Sequence, residues 1–152
     1  MPTEHERDRI FAVWNFKMTR REAREEIVNL LFETEFRAGE DVKEIFATSE
    51  ENREVAADEY IHRAYFGIMA NLEEIDKTIG EHAHGWRTDR LARVSRAVLR
   101  LAVYELKYED DIPSNVTLNE AIELIKKYDD EKARPFVNGV LNSVKNGLAS
   151  KK

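Results

Sequence analysis

The chain has 152 residues, 42% of them hydrophobic and 36% charged, and its 24 Lys and Arg against 30 Asp and Glu give a formal net charge of −6. That length suits one domain with a sizeable core, while six glycines and three prolines weigh against turn-rich sheet folds and against disorder. The lack of cysteine excludes a disulfide framework and a cysteine-ligated zinc site, no apolar run approaches the roughly 18 residues of a membrane span, and the negative total disfavours indiscriminate coating of nucleic acid.

The first residues, MPTEHERDRI, are mixed in charge and unlike a secretory signal, so the cytoplasm is the expected compartment. Residues 1–17 read as an N-terminal extension ahead of a single helical domain over 18–152. Its charged start gives way to Ile10, Phe11, Val13, Trp14 and Phe16, too short a stretch to hold a core of its own. Docking on the domain is favoured over disorder, because the aromatic rings would otherwise be exposed; self-association is the alternative. Met18, directly ahead of a strong helix start, suggests a second initiation point.

Thr19-Arg-Arg-Glu22 has the spacing of a capping box, in which hydroxyl and carboxylate satisfy each other's backbone amides. Gly39 offers the stop. Between them Ala23, Ile27, Val28, Leu30, Leu31, Phe32 and Phe36 cover about two-thirds of a helix circumference, which predicts a helix at the centre of a bundle. Arg20 and Arg24 share a line with Ile27 and Leu31. That end of the helix is therefore expected to protrude, with its guanidiniums at the rim of the molecule.

Asp41 is expected to cap a short helix through Phe46. Ile61, Tyr65, Ile68, Leu72, Ile75 and Ile79 then recur at alternating steps of four and three, a seam for antiparallel packing, with a break at Asn71 as N-cap. Residues 80–89, between Gly80 and the next helix, read as a loop. The helix predicted from Arg87 to Lys107 carries two faces. Leu91, Val94, Val98 and Leu101 make an apolar stripe, and Arg87, Arg90, Arg93, Arg96 and Arg100 run beside it. With Lys107, six positive charges stand against Asp89 and Glu105, a local net of +4 on an acidic chain.

Ile112-Pro113 ends that helix. A helix over Val116–Tyr128 follows, with Leu118, Ala121, Ile122, Ile125 and Tyr128 inward. The last runs from about Glu131 to Leu148, with Val137, Val140, Leu141, Val144 and Leu148 inward and Pro135 tolerable in its first turn. No strand pattern flanks Asn138-Gly139, so Gly139 is read as a close approach of two helices. The expected architecture is all-α, a compact bundle of about six to seven helices.

Several strings then resemble one family. Thr-Arg-Arg-Glu-Ala-Arg-Glu at 19–25, Leu-Arg-Leu-Ala-Val-Tyr-Glu-Leu at 99–106, Ile-Pro at 112–113, Asn-Glu-Ala-Ile-Glu-Leu at 119–124 and Phe-Val-Asn-Gly-Val-Leu at 136–141 resemble, in that order, the transcription antitermination factor NusB family over roughly 18–148. The resemblance implies two packed helical subdomains, no catalysis and no cofactor. It implies binding of a boxA-type single-stranded leader RNA together with the ribosomal protein NusE, with other antitermination factors and RNA polymerase engaged indirectly. The RNA-binding residues it implies are Arg20, Arg21 and Arg24 at the first helix start, Arg96 and Arg100 on the basic helix, and Phe136 at the start of the last. Glu22, Phe32 and Pro135 depart from the family pattern, where an arginine, a tyrosine and a lysine are frequent; each departure bears on RNA affinity.

The residues themselves leave alternatives open. Arginines at a helix N-terminus lack local stabilisation, which an arriving phosphate would supply, but solvated surface side chains look the same in sequence. The Arg87–Arg100 face suits RNA, an acidic protein partner, a homodimer interface or simple pairing with carboxylates. Phe136 suits the core or base stacking. Asn119 and Asn138 are expected to satisfy buried backbone groups. His82-x-His84 is a poor metal site, since a two-residue spacing points the rings apart on a helix, and no phosphate loop, nucleophile elbow or dinucleotide fingerprint occurs.

Overall fold

The computed structural model describes Thr3 and residues 18–53, 58–83, 91–128 and 132–148. Those residues form seven helices and no strand: α1 Arg20–Phe36, α2 Val42–Arg53, α3 Glu59–Ala70, α4 Leu72–His82, α5 Arg93–Tyr108, α6 Ser114–Tyr128 and α7 Ala133–Gly147. The all-α expectation holds. The expected extension over 1–17 lies outside the described residues except for Thr3, as do Arg87, Arg90 and Glu131.

The capping box closes α1 as its sequence requires. The Thr19 hydroxyl accepts from the Glu22 amide at 3.1 Å, and the Glu22 carboxylate accepts from the Thr19 amide at 3.1 Å. The Thr19 amide holds the Glu22 carboxyl below its ordinary range. Gly39, at φ +91°, takes the left-handed conformation that turns the chain toward α2. α2 runs past the expected Phe46 to Arg53; its apolar signal stops at Phe46 because only Ile45, Phe46 and Ser49 face inward.

The seam of α3 and α4 forms, with Ile61, Tyr65, Ile68, Ile75 and Ile79 all buried. The break at Asn71 is real, but its side chain does not cap α4. Its Nδ2 donates back to the Gly67 carbonyl at 2.8 Å, so Asn71 closes α3. α4 continues through Gly80 to His82, so the first residues of the expected loop are helical; its residues 84–89 lie outside the described residues.

The centre of the bundle is α5, not α1. Ten of its residues are buried, from Ser95 and the run Ala97–Leu99 to the run Leu101–Leu106, and it packs against α1, α3, α4, α6 and α7. α1 is buried on one side only and leaves Phe36 61% exposed. The helices thus form an N-terminal group, α1–α3, and a C-terminal group, α4–α7, joined chiefly along α1 and α5.

Close approach occurs at Gly67 rather than Gly139. A Cβ at Gly67 would lie 2.6 Å from Cε1 of Tyr104, whereas one at Gly139 meets nothing within 4 Å. In α6 Leu118, Ala121, Leu124 and Ile125 are buried, while Ile122 and Tyr128 are only half-buried. Asn119 and Asn138 are exposed, contrary to the buried role expected of them; Asn138 accepts from Asn142 Nδ2 at 3.2 Å on the surface of α7. Pro135 sits in the first turn of α7, where its missing amide has no helical acceptor to lose. Among the described residues no helix is long and apolar enough to cross a membrane.

Candidate nucleic-acid interface

The three arginines at the start of α1 separate by burial. Arg24 is 4% exposed, which corrects its expected place at the rim. Its Nε and Nη2 donate to the two carboxylate oxygens of Glu105 at 2.8 and 3.1 Å, and Glu105 also accepts from the hydroxyls of Tyr60 at 2.5 Å and Thr117 at 2.8 Å. The reason is geometric: Arg24 lies on the line of Ile27 and Leu31, and the α5 residue facing that line is a carboxylate. The bidentate fork, with two hydroxyls donating to the same carboxylate, offsets the cost of taking the two ions out of water. Burial, reinforced by Glu105, pushes the Tyr60 phenol well above its ordinary value, so it remains a donor.

Arg21 is exposed and forks onto Glu120 of α6, with both contacts at 3.0 Å. Beside it Lys127 pairs with Glu25 at 2.9 Å. Arg20 is exposed and lies over the Tyr60 ring, 3.9 Å from its centroid. Among the described residues no carboxylate lies within ion-pair distance of it. Arg63 of α3 approaches the same ring at 5.3 Å but is tied by a fork to Glu109, at 3.0 and 2.8 Å. Burial pushes the Glu109 carboxyl up, yet hydrogen bonds from Arg63 and Tyr104 outweigh it and hold the group below its ordinary value.

Arg96 and Arg100 lie at the other end of α1. Arg96 forks onto Glu35 at 2.5 and 2.9 Å; Arg100 donates to Glu35 at 3.0 Å and forks onto Asp76, at 2.8 Å for both contacts. Since Arg24 meets Glu105 while Glu35 meets Arg96 and Arg100, α1 and α5 run antiparallel. The step from residue 24 to 35 spans about 16 Å of helix axis. The single composite surface expected from the two arginine groups is therefore not formed. At Arg96 and Arg100 the basic stripe is largely buried and paired with carboxylates, the two side chains only 12% and 13% exposed. Lys107 is paired as well, with Glu74 at 2.9 Å. Arg93 is exposed over the Phe36 ring at 4.3 Å and lies 3.9 Å from Glu35, beside a cleft of about 440 Å³ floored by Leu31, Val42, Met69 and Leu72.

Phe136 is half-buried against the core in the first turn of α7. Lys145 donates to Asn115 at 2.7 Å, so α7 runs antiparallel to α6 and its start lies by the α6 end that carries Lys127. Of the three departures, Glu22 and Pro135 are exposed, and Phe32 is half-buried with its ring 5.0 Å edge-on to Phe36. His82 is used between helices, its Nδ1 2.6 Å from Ser143 Oγ; His84 lies outside the described residues, and among those described no three ligands cluster for a metal. Sequence reasoning missed Tyr60, Arg63 and Glu105. The available signal was Glu105 itself, which continues the apolar line Val98–Leu101 where a carboxylate needs a partner.

Comparisons with known proteins agree on one family. The model of the NusB family matches residues 21–146. The chain is 42% identical over 131 residues to a transcription antitermination protein NusB from Bacillus pumilus, covering 86% of this chain and 98% of that one. It is 40% identical over 131 residues to the Bacillus subtilis protein of the same name, with the same coverage. Among solved structures it resembles T. maritima NusB, with TM-score 0.79 and 40% identity over 86% of this chain and 93% of that one. It also resembles a structure of antitermination factors NusB and NusE in complex with dsRNA, with TM-score 0.75 and 33% identity over 84% and 96% of the two chains.

Proposed function

The chain belongs to the NusB family, and on that premise we propose that it is a non-catalytic, cytoplasmic transcription antitermination factor that binds boxA-like RNA together with NusE during ribosomal RNA transcription. Other antitermination factors and RNA polymerase are reached through that complex. The RNA surface is built on the start of α1, with the start of α7 as a second region of contact. Arg20, Arg21 and Phe136 make its direct contacts, and Arg24 positions α1 from within the core. Arg96 and Arg100 fix the far end of α1 to α5 and α4.

The observation that carries this assignment is the state of Arg20. It is exposed, stands at the positive end of α1 and has a neutral ring in place of a carboxylate, so a phosphate gains a charge partner without displacing one. Phe136, half-buried at the start of α7, offers an apolar surface for a base.

Titration of a labelled boxA-type RNA and a scrambled control, with and without NusE and at several salt concentrations, tests the function. Preference for boxA, tighter binding with NusE and a negative salt slope are expected. Equal binding of the two RNAs, or no binding with NusE present, contradicts it.

A further inference from the structure

Tyr60 is the residue through which the exposed and buried parts of the α1 start communicate. Its ring face carries Arg20 at 3.9 Å. Its hydroxyl donates at 2.5 Å to Glu105, the carboxylate that holds Arg24. The ring is 2% exposed and sits in the first turn of α3, whose N-cap Asp58 accepts from the Tyr60 amide at 2.7 Å. It is therefore a fixed platform under a side chain that would otherwise sample many rotamers. The second guanidinium near the ring, Arg63, takes its position from Glu109. Arg20 forms no such fork; it feels the charge of Glu109 from a distance, and its direct contact is the ring.

We propose that Tyr60 is a positioning residue for RNA: its ring, held in place by the packing of the α3 start, pre-orders the Arg20 guanidinium at the rim, while its hydroxyl serves the stability of the buried Arg24–Glu105 pair. This rests on the assignment of RNA binding to the α1 start. A ring quadrupole attracts a cation without neutralising it, so Arg20 arrives ordered and still fully charged. A carboxylate in that place would order the guanidinium and cancel its charge. The ordering cost is met before RNA binds, which raises affinity without a direct contact from Tyr60.

The test separates ring electrostatics from packing. BoxA-type RNA is titrated onto the wild-type chain, Tyr60→Phe, the chain with 3,4,5-trifluorophenylalanine at position 60, and Arg20→Ala alone and combined with the fluorinated ring. The two phenyl rings have nearly the same shape and both lack the hydroxyl, so a purely structural role treats them alike. Tyr60→Phe is expected to lower the thermal midpoint through the lost Glu105 bond and to keep RNA affinity within about twofold of wild type. The fluorinated ring, whose negative face is depleted, is expected to weaken RNA binding by a further ~3-fold or more. In the Arg20→Ala background it should have no effect. Equal affinity for the two phenyl variants, or an undiminished effect of fluorination without Arg20, overturns the inference while wild-type binding stands. Failure of the wild-type chain to bind RNA overturns the underlying assignment instead.

Discussion

Arg21 and Arg24 are three residues apart on one helix turn, yet they obey different physics. Arg21 holds Glu120 from an exposed position, where pairing is screened by water. Arg24 holds Glu105 with both side chains almost completely out of solvent. Removing one member of a buried pair strands the other charge, together with the hydroxyls of Tyr60 and Thr117 that converge on it. Arg24→Met is therefore expected to cost about 3–5 kcal/mol in chemical denaturation, whereas Arg21→Met leaves the midpoint nearly unchanged. An Arg24→Met chain as stable as wild type would mean that the Glu105 network does not hold the core. RNA loss in an Arg24 variant thus has to be read against its fold, which makes Arg20 the cleaner probe of the surface.

At the scale of elements, two of the helical glycines, Gly67 and Gly139, have opposite roles. Gly67 of α3 lets α5 come close enough for the Tyr104 ring to fill the space of a side chain. Gly139 of α7 faces open space. Gly67→Ala is expected to destabilise by about 1–3 kcal/mol through overpacking, and Gly139→Ala to stabilise by about 0.5–1 kcal/mol through helix propensity. Thermal melts of the two variants check the pair, and shifts of the same sign would contradict the packing described.

Helix number, the α1 cap, the α3–α4 seam and the inner face of α7 were legible because each is written in local spacing or capping chemistry. Central position was not. α5 reads as a two-faced helix because its arginines are polar letters, and only the fold shows that Glu35 and Asp76 meet them from α1 and α4. Arg24 was misplaced for the same reason: its partner is 81 positions away. The exposure of Arg20 and Arg21 at the α1 start was legible, since guanidiniums at that end of the helix are expected to protrude. The ring that carries Arg20 was not, because nothing in the spacing of Tyr60 distinguishes it from an ordinary core aromatic.

For the whole molecule, an acidic chain can offer a nucleic-acid surface when most of its cations are paired and a few are left open. Arg24, Arg63, Arg96 and Arg100 are absorbed by carboxylates. Arg20 and Arg93 lie at opposite ends of the α1–α5 unit, each exposed and each over an aromatic ring, Arg93 also approaching Glu35 at 3.9 Å. They share local chemistry and differ in location, so they discriminate between the two ends. The central claim is that RNA is held at the α1 start, and the measurement that tests it most directly is the affinity and salt slope of boxA-type RNA for Arg20→Glu and Arg93→Glu, measured without NusE. Arg20→Glu is expected to weaken binding by roughly tenfold or more and to reduce the salt slope by about one, with Arg93→Glu close to wild type. A loss confined to Arg93→Glu, or equal losses in both, would contradict the claim.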